Sequence, residues 1–209
     1  VIRAARAAKS LEAIYVSTED AEVAVVAKSV HADVIDRPPA LAQDDTPDLP
    51  VAQHVADALG LKDDDLLVWL RPTAPFVRPL DIDEVVALAA RFDLPSASVR
   101  SVVPAREHPA KMYAEGIAIT GEVACLVPFL GRSEHRANHP RQSLSRPWRA
   151  AGYVDAMRVG TVRQGEMDGW PILAWPVPEG RHVDIDTEAE WRRAETMALE
   201  RGWRPGQVS

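Results

Sequence analysis

The chain has 209 residues, of which 46% are hydrophobic and 26% charged, a globular composition too apolar for intrinsic disorder. Its 31 acidic and 24 basic residues leave a net charge of −7, which free nucleic acid repels. No apolar run approaches the roughly 18 residues of a membrane span, and the one cysteine, Cys125, excludes an internal disulfide framework or a multi-cysteine zinc site.

Val1 to Lys9 reads as the middle of a helix and lacks the charged head, apolar stretch and cleavage site of a signal peptide. The expectation is an unusual start or further residues upstream. The lack of paired cysteines and of signal-peptide features leads to the expectation of a cytoplasmic protein.

Ala13-Ile14-Tyr15-Val16-Ser17 is rich in β-branched and aromatic residues and predicts a strand. Ser17-Thr18-Glu19-Asp20 then caps a helix to about Val30. Residues 36–50 read as irregular, with Arg37 early and Asp44, Asp45 and Asp48 later. Arg37 there either meets a phosphate or base carbonyl or pairs on the surface with Asp44 or Asp45; local pattern favours pairing.

Leu66 to Leu70 is a continuous apolar run, the pattern of a strand buried on both faces. Arg71 to Pro79 follows as a loop stiffened by Pro72, Pro75 and Pro79, with Arg71 and Arg78 bringing positive charge. It is either a functional edge loop or a rigid connector with solvated arginines. Asp81-Ile82-Asp83-Glu84 has the spacing of an N-cap acid with Glu at N3 and predicts a helix over Val85 to Phe92. Ser98 to Val103 predicts a strand.

The stretch from about Pro104 to Trp148 breaks the alternation with repeated prolines and reads as an inserted β-rich arm. Val183-Asp184-Ile185-Asp186 predicts a last short strand, and Thr187-Glu188-Ala189-Glu190 a capping box opening a helix to about Arg201. The tail from Gly202 to Ser209 reads as frayed.

Strands separated by helices imply βαβ units and a mostly parallel sheet. Such sheets bind ligands beyond the carboxyl ends of their strands, which directs attention to the residues after Val16, Leu70, Val103 and Val183. Asp81 and Asp83 open a helix, where the dipole favours acids, and need no catalytic role. Asp184 and Asp186 differ. On a strand, alternation puts both carboxylates on one face about 7 Å apart at Cα. A hard divalent cation would relieve their repulsion.

The six histidines show no zincin spacing, and no G-x-S-x-G elbow occurs. Cys125 reads as a small buried hydrophobe. The dispersed tryptophans read as core or interface residues.

Taken in order, these segments resemble the acylneuraminate cytidylyltransferases, which make CMP-activated sialic and related nine-carbon acids. The matching pieces are Tyr15-Val16-Ser17-Thr18-Glu19-Asp20, Arg37-Pro38 with Leu41-Ala42-Gln43-Asp44, and Arg71-Pro72-Thr73-Ala74-Pro75. They continue with Ser101-Val102-Val103, His108-Pro109-Ala110-Lys111-Met112, Arg141-Gln142, Gly152-Tyr153-Val154-Asp155 and Val183 to Glu188. Residues 45–50 and 165–169 look like a subgroup with legionaminic-type members.

The resemblance implies an α/β, Rossmann-like nucleotidyltransferase fold over 1–209. Its mostly parallel sheet would carry an arm at about 104–150 that makes a homodimer. CTP, an acidic nine-carbon 2-keto sugar and Mg2+ are the implied ligands. Arg37, Thr46, Asp48 and Thr73 would serve the nucleotide, and Arg71, Lys111, Gln142 and Asp155 the sugar. Asp184 and Asp186 match the magnesium pair and, with Arg141, the catalytic set.

Two departures accompany the match. The family's first strand and its R-G-G-S-K-G phosphate loop have no counterpart in these residues. Either they lie upstream, or this is a non-catalytic binding relative. Ala150-Ala151-Gly152-Tyr153 also replaces a Gln-Thr-Gly-His sugar motif. A nucleotidyltransferase using another NTP and a sugar phosphate is the remaining enzymatic alternative.

Overall fold

The computed structural model describes residues 1–92, 94–116 and 125–202. In chain order they form α1 (Ile2–Ala7), β1 (Tyr15–Thr18), α2 (Ala21–Ser29), β2 (Asp33–Asp36), α3 (Asp48–Ala58), β3 (Leu66–Trp69), α4 (Pro79–Arg91) and β4 (Ser98–Pro104). Then come β5 (Tyr113–Glu115), β6 (Leu126–Pro128), β7 (Trp148–Ala150), β8 (Asp155–Arg158), α5 (Val159–Arg163), β9 (Ile172–Pro176) and α6 (Glu188–Glu200).

Local chemistry explains most helix starts. Asp20 caps α2, its Oδ1 accepting the amides of Glu22 at 2.7 Å and Val23 at 3.0 Å. Thr187 caps α6 by accepting the Glu190 amide at 3.3 Å, and its hydroxyl donates back to Glu190 at 2.9 Å. Helix α4 begins earlier than its acids predict. Pro79 takes the first helical position, where its fixed φ and missing N–H do no harm. Asp81 is therefore not the cap but the third helical residue, accepting the Arg78 amide at 3.2 Å.

Asp81 is also buried, with Arg181 donating to it at 2.6 Å and Tyr153 at 2.7 Å. Asp83 receives the amides of Lys9 and Ser10 and so ties down the segment after α1. Helix α3 begins inside the stretch 36–50 that reads as irregular, taking its last three residues, Asp48 to Pro50. Pro50 sits in its first turn, and Val51, Ala52, Val55 and Ala56 bury one helical face.

The chain divides into two compact units, Val1–Ser101 with Ala151–Ser209, and Val102–Ala150. In the first, β1 and β2 pair in parallel, Tyr15 opposite Asp33 and Thr18 opposite Asp36. Strand β8 runs antiparallel to β3, with Trp69 opposite Asp155, and antiparallel to β4 at Val99 and Ala156. Strands β3 and β4 therefore share one direction. The expected α/β class is observed, and β8 is the reversed strand between two that run alike. Strand β9 also pairs with β4.

Among the described residues no ladder joins the β1–β2 pair to the β3–β8–β4 sheet. In keeping with one free edge, all four residues of β3 are only partly buried, not enclosed on both faces as their apolar run suggested. The core gathers Ala52, Met157 and Val162, with Leu49, Leu67, Trp69 and Met167 packed around them.

Val183 to Asp186 forms no strand, and Asp186 already lies in a bend. Alternation describes which way side chains face, not whether a ladder partner exists. Here the Ile185 amide reaches the Thr73 carbonyl at 3.0 Å, and the strand expectation is corrected to a tethered segment.

In the second unit, β5 and β6 form an antiparallel pair from Tyr113 opposite Pro128 to Glu115 opposite Leu126. Strand β7 pairs with the distal half of β4, Val102 opposite Ala150. Met112, Tyr113, Leu126, Val127 and Phe129 are exposed here. Cys125 is partly buried and unbridged. The apolar run around it begins at 123 and 124, outside the described residues, as does the tail from 203. Trp175 is buried, whereas Trp148, Trp170 and Trp191 are exposed. No helix among the described residues is long and apolar enough to cross a membrane.

Candidate active site

Strand β8 starts opposite the end of β3, and this register places Asp155 beside the loop that begins at Arg71. Asp155 is fully buried. Its Oδ1 accepts the Ser101 amide and hydroxyl, each at 3.0 Å. Its Oδ2 accepts Arg71 at 3.1 Å and Arg100 at 2.7 Å. The Ser101 hydroxyl oxygen in turn accepts the amides of Tyr153 at 3.0 Å and Val154 at 3.1 Å. One serine thus satisfies the backbone where residues 151–154 leave the β4 ladder.

Each arginine carries a second, outer acid. Arg71 also pairs with Asp48, at the first turn of α3, and Arg100 with Asp168. The result is a chain of alternating charge, Asp48–Arg71–Asp155–Arg100–Asp168. Burial works against the charge of both arginines. Hydrogen bonding and Coulombic attraction from Asp48 and Asp155 outweigh it at Arg71, and from Asp168 and Asp155 at Arg100, so both guanidinium pKa values are raised.

Gly152 has φ of +61°, a backbone that favours glycine. A Cβ there would lie 3.6 Å from Arg71 Cδ and 3.7 Å from Asp184 Oδ2. Arg71 and Asp184 therefore line the same side of this glycine. Among the described residues Asp184 has no hydrogen-bond or ion-pair partner, and Thr73 adjoins through its carbonyl bond to Ile185. Asp186 is exposed, its amide donating to Glu190 at 3.0 Å.

The structure thus gathers Asp48, Arg71, Thr73, Asp155 and Asp184. Asp155, expected to touch the sugar, is instead enclosed by protein donors and acts through the arginines. Arg37 stays at the ends of β1 and β2, donating to Ser17 Oγ at 3.2 Å and to the Ser17 carbonyl. It does not pair with Asp44 or Asp45. Thr46 closes a turn, its hydroxyl accepting the Gln43 amide at 3.1 Å.

Lys111, Arg141 and Gln142 lie in the second unit. Lys111 donates to the Ala137 carbonyl at 3.1 Å, Arg141 pairs with Glu107 at 3.1 Å, and Gln142 is exposed. Arg100, Asp168 and the Ser101 hydroxyl escaped the sequence reading. Arg100 had a signal: it is the lone charge inside the apolar strand β4.

No group of three or more potential metal ligands occurs among the described residues. Asp184 lines the Gly152 side of the site, whereas Asp186 is exposed just before α6, and each carries one carboxylate. Magnesium usually takes one or two carboxylates and completes its shell with water and substrate phosphates, so this donor set fits a cation that arrives with a nucleotide.

No family model matches the chain. An 8-amino-3,8-dideoxy-manno-octulosonate cytidylyltransferase of Shewanella woodyi is 35% identical over 94 residues, 44% of this chain and 36% of that protein. The match thus spans about a third of that relative. Among solved structures, a 4-diphosphocytidyl-2C-methyl-D-erythritol synthase superposes with TM-score 0.57 at 10% identity, covering 92% of this chain and 85% of the other. A CMP:2-keto-3-deoxy-manno-octonic acid synthetase complexed with CTP does so with TM-score 0.61 at 16% identity, covering 96% and 87%. The chain shares the α/β fold of these two proteins.

Proposed function

We propose that the protein is a cytidylyltransferase that joins CMP from CTP to an acidic 2-keto sugar and releases pyrophosphate. The observation that carries this is the convergence of Arg71 and the unpartnered carboxylate of Asp184 on Gly152, in a fold shared with a synthetase that holds CTP. The partial likeness to a cytidylyltransferase for an eight-carbon acidic sugar supports the same reaction class. A nine-carbon sialic or legionaminic acid is the narrower form of the proposal.

In this reading the anomeric hydroxyl of the sugar attacks the α-phosphorus of CTP in line and pyrophosphate departs. Arg71, with two N–H groups directed by Asp155 and Asp48, orients the sugar carboxylate. Arg37 and Thr46 serve the nucleotide. Magnesium held by Asp184 and Asp186 would offset charge on the transferring phosphate. Lys111, Arg141 and Gln142 belong to the unit proposed to meet a second copy.

The test is pyrophosphate release from the full chain with CTP and Mg2+, across eight- and nine-carbon 2-keto sugar acids. Asp184→Asn with Asp186→Asn is expected to abolish it. Turnover unchanged in that double variant removes the assigned role, and no release with any acid removes the reaction. The alternative of another NTP with a sugar phosphate belongs in the same panel.

A further inference from the structure

The charge chain around Asp155 has an inner and an outer part. Asp155 is inner: its side chain is 0% exposed, whereas those of Asp48 and Asp168 are 43% and 44% exposed. Arg71 and Arg100 bring two positive groups to one oxygen of Asp155. A single carboxylate cannot neutralise both, so each arginine needs an outer anion, and in the free protein Asp48 and Asp168 supply it.

The outer acids are not equivalent. Asp48 sits in the first turn of an eleven-residue helix, where the dipole holds its charge. Asp168 lies in the turn between Gly165 and Gly169, and among the described residues Arg100 is its one partner. The backbone beside it is fixed. Ser98 Oγ donates to the Gly169 carbonyl at 3.1 Å, and a Cβ at Gly169 would overlap the Ser96 carbonyl. The Asp168 side chain can therefore rotate into water while the loop stays in place. Solvent-exposed ion pairs stabilise little, so a better-placed anion displaces it readily.

We propose that Arg100 is a second anion-binding residue of this site and that Asp168 is the group a ligand carboxylate displaces. The inference rests on the cytidylyltransferase reading for the identity of the ligand, a 2-keto sugar acid. Its physical content is an exchange of one carboxylate for another on Arg100, with Asp155 holding the guanidinium in place throughout. Charge balances, since one anion leaves as another arrives.

The test is titration calorimetry of the full chain with 2-keto-3-deoxy-manno-octonic acid and N-acetylneuraminic acid, with the methyl ester of each as control. Asp168→Asn removes the competitor and is expected to tighten binding of at least one acid about tenfold. Arg100→Met is expected to weaken it at least tenfold, and the esters to bind weakly to every protein. Thermal melts show whether each variant is folded; should Arg100→Met be unfolded, Asp168→Asn alone decides. Unchanged affinity in Asp168→Asn overturns the proposal, as does failure of both acids to bind wild type and Asp168→Asn. Tighter binding without pyrophosphate release leaves this inference standing and removes the reaction; release with an unresponsive Asp168→Asn does the reverse.

Discussion

A carboxylate with no solvent contact must have its charge met entirely by protein, and Asp155 does this with a hydroxyl, an amide and two guanidinium groups. Removing it leaves Arg71 and Arg100 half-buried without their shared anion. Deleting one partner of a buried ion pair costs about 3–5 kcal/mol, so Asp155→Ala is expected to destabilise the protein by that amount in urea unfolding. Asp155→Asn keeps the shape and is expected to lose less stability and, in the proposed reaction, to raise KM for the acidic sugar more than it lowers kcat. A variant as stable as wild type would mean the arginines find other partners. This network was only half legible in the sequence. Arg71 and Asp155 stand out through the family resemblance. The Arg100–Asp168 pair spans 68 residues and belongs to no local pattern, so only the folded chain brings it together.

Elements with a local cause were the readable ones. Strands β1, β3 and β4 announce themselves as apolar or β-branched runs, and α2 and α6 by their caps. The start of helix α3 was hidden because Asp48 and Pro50 read as loop, although both suit a helical first turn. The segment of Asp184 failed as a strand because pairing is a non-local property. Strand β8, the support of the whole site, is four residues long and carries Asp155 at its start, a signal too short to separate from loop. The cap of α6 matters here, since the helix begins next to Asp186. Thr187→Ala removes the side-chain acceptor for the Glu190 amide and is expected to lower stability by about 1 kcal/mol, measured by urea unfolding. Thr187→Ser should retain most of that stability; a serine variant as weak as alanine would locate the effect in lost methyl packing instead.

At the scale of the molecule, the second unit presents an unusual surface. Its β6 carries Leu126 at 67% exposure and is followed by Phe129 at 59%, with Met112, Tyr113 and Val127 also open to solvent. Apolar groups clustered on one short strand pair are the mark of an interaction face, whereas single exposed hydrophobes are ordinary. We propose a second copy of this chain as the occupant, because a symmetric pair covers the same face twice and leaves no new edge exposed. A net charge of −7 on each chain argues that attraction between copies must come from such an apolar patch and not from their overall fields. Sedimentation is then expected to give a dimer for the wild type and a monomer for Leu126→Glu with Phe129→Glu. Far-UV circular dichroism should stay the same, since both side chains already face water within the unit. A wild-type monomer at high concentration rejects the pairing, and a double variant that still sediments as a dimer moves the interface off this strand pair.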